Sequence, residues 1–145
     1  MRFHSTVLSA IFALAFCAWN PGAAETWTCN LTENTQSGFV AEQVTVVRLE
    51  DTGAIKVKDA MIEKYRDGWL RGKIDVENDK RITFVWQLPF VKNPPTISAS
   101  SQTNLFYSMT LQKPGLAARM QVSSFPHGTG RLRTYSGKGQ CVLSK

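Results

Sequence analysis

The sequence predicts an all-β domain: an antiparallel meander of about seven or eight strands, closed or nearly closed into a barrel, with one short helix. Three observations lead there. Apolar and polar residues alternate with period two through most of the chain after residue 25, as strands with one buried and one wet face require. Short stretches rich in Gly, Pro, Asn and Asp separate these runs. Two cysteines, Cys29 and Cys141, stand in the first and last runs, so a disulfide would tie the terminal strands and remove the exposed sheet edges. A β-sandwich is the alternative, because alternation alone does not separate it from a barrel.

The first residues are set aside before any fold reasoning. Arg2 and His4 make a short positive head, and residues 7–19 (VLSAIFALAFCAW) are an unbroken apolar run of 13 residues. Asn20-Pro21-Gly22-Ala23-Ala24 then breaks any helix and offers small side chains to a peptidase. This is the pattern of a signal peptide, residues 1–24, with cleavage expected after Ala24 and a single β domain over 25–145. The apolar run is too short for a membrane span, which needs about 20 residues, so no transmembrane segment is expected; an uncleaved anchor is the alternative. Cys17 follows Phe16, where lipoprotein processing needs a small residue.

Each element can be justified in turn. Trp27, Cys29 and Leu31 alternate with Thr26, Thr28 and Asn30. Around 44–49, Val44 and Val46 share a face while Val47 and Leu49 take the other, which suggests a bulge or burial on both sides. Ile55 and Val57 alternate with Lys56 and Lys58. Residues 59–66 (DAMIEKYR) form the helical candidate, with Met61, Ile62 and Tyr65 able to cover one end of a sheet. Leu70, Gly72, Ile74 and Val76 follow, then Ile82, Phe84, Trp86 and Leu88. Matching their apolar faces sets Val76 opposite Ile82, Ile74 opposite Phe84, Gly72 opposite Trp86 and Glu77 against Arg81, around the loop Asn78-Asp79-Lys80. Pro89 to Asn104, with three prolines and a serine-rich tail, reads as a long loop, either a recognition element or a crossover. The next hairpin sets Leu111 opposite Leu116, Met109 opposite Ala118, Tyr107 opposite Met120 and Leu105 opposite Val122, around Gln112-Lys113-Pro114-Gly115 with glycine at positive φ. In the last strand Leu132 is out of phase with Tyr135, Cys141 and Leu143, and Gly137 and Gly139 permit a bulge.

Two cysteines remaining in an exported chain permit one intramolecular pairing, Cys29 to Cys141, and an oxidising compartment favours it. There is no CxxC and no His/Cys ligand cluster, so redox and zinc chemistry have no basis in the sequence, and neither metal nor cofactor is expected. His127, within Phe125-Pro126-His127-Gly128-Thr129-Gly130, is the histidine of the mature chain; turn-forming neighbours and the absence of Asp or Glu in this half argue for a loop tip rather than a general base. Asp75 with Glu77, and Asp59, Glu63 and Asp67, are carboxylate sets read as solvated faces. Gly128-Thr129-Gly130-Arg131 and Ser136-Gly137-Lys138-Gly139 are weak candidates for anion cradles.

Charge carries the strongest functional signal. Residues 25–79 hold all 11 carboxylates and seven Lys/Arg, a balance of −4, whereas residues 80–145 hold nine Lys/Arg and no carboxylate. Lys113, Arg119, Arg131, Arg133 and Lys138 are therefore the candidate ligand-binding residues, and a single-sign surface of this kind attracts anionic partners. The competing expectation is that the −4 half folds against the +9 half and leaves no patch. In outline, Trp27-Thr28-Cys29 and Tyr135-Ser136-Gly137-Lys138-Gly139-Gln140-Cys141 resemble the layout of the lysozyme inhibitors of bacterial periplasms. That resemblance implies a periplasmic inhibitor, but it places no inhibitory loop in this chain, and a basic protein is ill suited to basic lysozyme, so no family is assigned. The expected function is a periplasmic or secreted, non-enzymatic binding module. Its partner would be an anionic lipid, an acidic glycan or an acidic protein; nucleic acid is excluded by location. A small hydrolase using His127 is the enzymatic alternative.

Overall fold

The computed structural model describes residues 24–49, 52–92, 102–126 and 132–145. Eight strands form one closed barrel in chain order: β1 (Thr26–Glu33), β2 (Gln43–Leu49), β3 (Ala54–Asp59), β4 (Leu70–Glu77), β5 (Arg81–Lys92), β6 (Gln102–Gln112), β7 (Ala117–Pro126) and β8 (Arg133–Ser144). Every neighbouring pair is antiparallel, and β1 pairs with β8 to close the wall. One helix, α1 (Ala60–Tyr65), follows β3. No described helix is long and apolar enough to cross a membrane.

An eight-stranded barrel is just wide enough to be filled by its own side chains. Here the inward positions do so: Phe84, Ile55, Ile82, Leu88, Leu105, Met109, Leu111 and Met120 are fully buried. Each such side chain contributes roughly 1.5–3 kcal/mol by leaving water. The inward residues of β4 (Leu70, Ile74) are only half-buried, and β3 and β4 share four residue pairs, making this the thinnest part of the wall.

The two ends differ. The base carries the turns before β3, β5 and β7. There the Arg48 guanidinium lies 3.2 Å from Glu25, 2.8 Å from Glu77 and 5.5 Å from the Trp27 ring centroid. The rim is plugged by α1, through Met61 and Ile62, and by Phe39, Val40 and Ala41 from the connection between β1 and β2. The Tyr107 hydroxyl donates to the Phe39 carbonyl at 3.2 Å, and the Phe39 and Tyr135 rings meet at 5.0 Å.

Cys29 and Cys141 stand opposite each other across β1 and β8, with Cα atoms 3.9 Å apart, and form the disulfide. The first and last strands are thus joined covalently as well as by eight paired residues.

Several expected details change. Gly72 faces Trp86 and Ile74 faces Phe84 as expected, but a register shift then sets Val76 opposite Thr83 and Glu77 opposite Ile82. The shift turns Glu77 toward the base, where it pairs with Arg48 and Lys113 instead of Arg81. Pairing of β6 with β7 is displaced by two residues, with Leu111 opposite Ala118, Met109 opposite Met120, Tyr107 opposite Val122 and Leu105 opposite Ser124. The turn is therefore Lys113 to Leu116, and positive φ falls on Leu116 (58°), which packs against the core while its carbonyl accepts from the Cys141 amide at 3.0 Å. β2 has no register shift; Val44 and Val46 point inward, and Val47 and Leu49 are half-buried outside. β8 also runs without a bulge. Pro89, Phe90 and Val91 belong to β5, not to a loop, with a register shift between Leu88 and Val91, and Val91 is fully buried. At the other end of that stretch Gln102 to Asn104 belong to β6, Lys92 closes β5, and 93–101 lie outside the described residues.

Candidate functional site

Because the strands follow chain order, residues 25–79 build β1 to β4 and residues 80–145 build β5 to β8. The carboxylate-free half of the sequence becomes a carboxylate-free half of the barrel. The two halves adjoin only where β4 meets β5 and where β8 meets β1. They do not interleave, and among the described residues the ion pair that joins them is Lys113 with Glu77 at the base.

Alternation decides which cations reach the outer wall. Met120 and Cys141 point inward, so Arg119 and Lys138 point outward, and register places them directly opposite each other. Thr110 lies opposite Arg119 on the other side, Thr32 lies opposite Lys138, and Arg81 stands at the base end of β5 beside Gln112. These residues line an open groove of about 890 Å³. Among the described residues, Arg81, Arg119 and Lys138 make no ion pair. Like charges directly opposite across a strand pair are destabilising, so the Arg119–Lys138 pair holds a repulsion that an anion between them would relieve.

A second open groove, of about 640 Å³, adjoins the first at Ser108. Its floor is Val85 and Phe106, and Arg71 and Lys73 rise along its β4 side. Toward the rim, Phe106 and Phe125 meet edge-on with centroids 5.3 Å apart while remaining 39 % and 48 % exposed.

The five cations singled out in the sequence are divided by the structure. Arg119 and Lys138 come together. Lys113 sits in the base turn with its ammonium 3.6 Å from Glu77, which makes it part of a neutralised cluster. Arg133 opens β8 at the rim, opposite Ser124, away from the groove. Arg131 and His127, with Gly128-Thr129-Gly130, lie outside the described residues. Ser136-Gly137-Lys138-Gly139 is no loop but continuous strand. A Cβ on Gly139 would lie 1.8 Å from the Asn30 carbonyl oxygen, so these glycines serve the close approach of β8 to β1. Arg81, Arg71 and Lys73 were missed as site residues. Simple alternation pairs Arg81 with Glu77, and the register shift in β4 frees it.

Among the described residues, no group of three or more His, Cys, Asp or Glu side chains is placed to hold a metal ion. Asp59, expected on a solvated face, is 4 % exposed; its Oδ1 caps α1 by accepting from the Ile62 amide at 2.7 Å. Burial pushes its carboxyl above the ordinary value, against the lowering effect of the amide hydrogen bonds. Glu77 moves the other way, held low by its hydrogen bond from Arg48. Burial raises the Tyr107 phenol, with Asp59 adding to the effect, so it stays protonated. No family model matches this chain, and no curated protein or solved structure matches it either. The site has to be read from its own chemistry.

Proposed function

We propose that this protein is an exported, non-enzymatic binding module that captures an anionic partner on the outer wall of its carboxylate-free half. The observation carrying this reading is the outward pair Arg119 and Lys138, directly opposed, with Arg81 beside the same groove and, among the described residues, no carboxylate paired with any of them. Such a surface raises the local concentration of anions and speeds their encounter. The signal-peptide pattern and the Cys29–Cys141 bridge support a periplasmic or secreted location, where disulfides persist.

The test uses a soluble polyanion, dextran sulfate, titrated by calorimetry at low and high salt. Binding should weaken steeply with salt, because the attraction is screened over about 8 Å at physiological ionic strength. The triple variant Arg81→Gln, Arg119→Gln, Lys138→Gln should bind at least about tenfold more weakly and melt no lower, since relieving like-charge repulsion does not cost stability. Unchanged affinity in that variant, or no binding at low salt, would remove the proposal.

A further inference from the structure

The apolar surface of the barrel is unevenly placed. Among the described residues, five large hydrophobic side chains are exposed: Trp69, Phe106, Phe125, Leu132 and Val142. Four of them lie toward the rim on β4 to β8, and only Val142 lies near the base. Scattered exposed apolar residues need no explanation, but contiguous ones mark an interaction surface, and Phe106 and Phe125 touch edge-on at 5.3 Å with Trp69 and Leu132 at the same end of the barrel.

Register shows how the group is ordered. Phe125 lies opposite Asn104 at the rim end of β6 and β7. Leu132 immediately precedes Arg133, whose partner Ser124 is Phe125's neighbour. Trp69 immediately precedes β4, two residues before Arg71. One step toward the base, Phe106 lies between Gln87 and Ser123. The next step carries Lys73 opposite Val85, its ammonium 3.8 Å from Asp75, and the one after it carries Arg119 opposite Lys138, which make no ion pair among the described residues. Each step is two residues of strand, about 7 Å. Moving from rim to base along this wall, aromatic and aliphatic side chains therefore give way to cations, apart from Arg133, which stands at the rim beside Leu132.

That order matches the layering of a lipid interface. Apolar side chains of peripheral proteins bury about 5–10 Å into the boundary between head groups and acyl chains. Aromatic rings favour that depth, and Lys or Arg at head-group level gain from anionic lipids. We propose that this wall docks onto an anionic lipid bilayer with its rim end deepest. Phe106, Phe125, Trp69 and Leu132 enter the interface, while Arg71, Lys73, Arg119 and Lys138 face the head groups. The inference rests on the reading of the wall as anion-binding and names the partner of that same surface.

The experiment compares three probes on protein expressed as the full chain and purified after export. They are vesicles of phosphatidylcholine with phosphatidylglycerol, vesicles of phosphatidylcholine alone, and dextran sulfate. The protein should sediment with the anionic vesicles and not with the zwitterionic ones. Its tryptophan emission should shift to the blue, and Trp69→Phe should abolish the shift, because Trp27 and Trp86 are already buried. Phe106→Ser with Phe125→Ser should weaken vesicle binding at least about tenfold while dextran sulfate binding is kept. Both rings are exposed, so the fold should survive, with the disulfide assayed as a check. Wild-type protein that ignores anionic vesicles, or a double variant that binds them unchanged, overturns the lipid assignment. If dextran sulfate still binds in that case, the anion-binding wall stands without it; loss of both probes removes the two readings together.

Discussion

Asp59 shows how one residue can contribute to structure and to pH response at once. Its carboxylate caps α1, yet it is buried at the rim. The folded state therefore holds its proton more tightly than the unfolded chain does. The stability linked to this group is fully present below the ordinary carboxylate value of 3.8 and is lost as pH rises through the raised folded value. Glu77 contributes with the opposite sign: its stabilisation is present above 4.5 and fades as pH falls through the depressed value. Asp59→Asn keeps a good capping oxygen and removes the desolvated charge, whereas Asp59→Ala removes the cap at a cost of about 1 kcal/mol. Denaturant midpoints should then place Asn above wild type at neutral pH and Ala below Asn, with the Asn advantage shrinking toward acid. An Asn variant as unstable as Ala at neutral pH would show that burial does not strain the charge. The capping role was within reach of the sequence, since Asp directly before a helical run is a start signal. Its burial was not, because that depends on the closure of the barrel around the end of β3, where Asp59 pairs with Val44.

At the level of elements, faces were legible and registers only in part: Gly72 faces Trp86 and Ile74 faces Phe84 as the pattern requires, but the β6–β7 pairing does not follow it. Displacing β7 by two residues keeps Ala118, Met120 and Val122 inward, so a period-two pattern cannot distinguish the two pairings. The choice falls to the turn, where Leu116 joins the core and takes positive φ. In β4, the shift between Ile74 and Val76 exchanges an exposed Glu77–Arg81 pair for the Arg48–Glu77–Lys113 cluster, which no local pattern announces. β8 shows the same limit. Its glycines read as bend signals, but Gly139 is demanded by contact with β1. Gly139→Ala should force β1 and β8 apart and cost about 3 kcal/mol or more. Gly115→Ala, where nothing lies within 4 Å of the added Cβ, should be nearly neutral. Equal melting temperatures for the two variants would mean that the seam is looser than the structure indicates.

For the whole molecule, closure is the central fact. The Cys29–Cys141 bridge spans 112 positions and joins the terminal strands. In the unfolded chain it closes a loop of about 100 residues, for which chain-entropy estimates give at most about 4.7 kcal/mol. The Cys29→Ala, Cys141→Ala variant should unfold at clearly lower denaturant, by about 2–4 kcal/mol, because the constraint on the unfolded state is gone. A midpoint equal to wild type would show that the eight β1–β8 residue pairs hold the seam unaided.

The sequence by itself determined the class, most of each strand, the helix and the covalent pairing of the ends, because alternation and cysteine placement are local or have one solution. The strand ends at Pro89 to Lys92 and Gln102 to Asn104 escaped it, since proline and serine read as loop. It also determined that residues 80–145 carry no negative charge. It could not determine whether that asymmetry survives folding. A sandwich can interleave early and late strands and so mix the charges, whereas a meander keeps chain neighbours as strand neighbours. Only the closed up-and-down topology decides this: the +9 half becomes one continuous side of the barrel, and Arg119 comes to face Lys138 with no carboxylate between them.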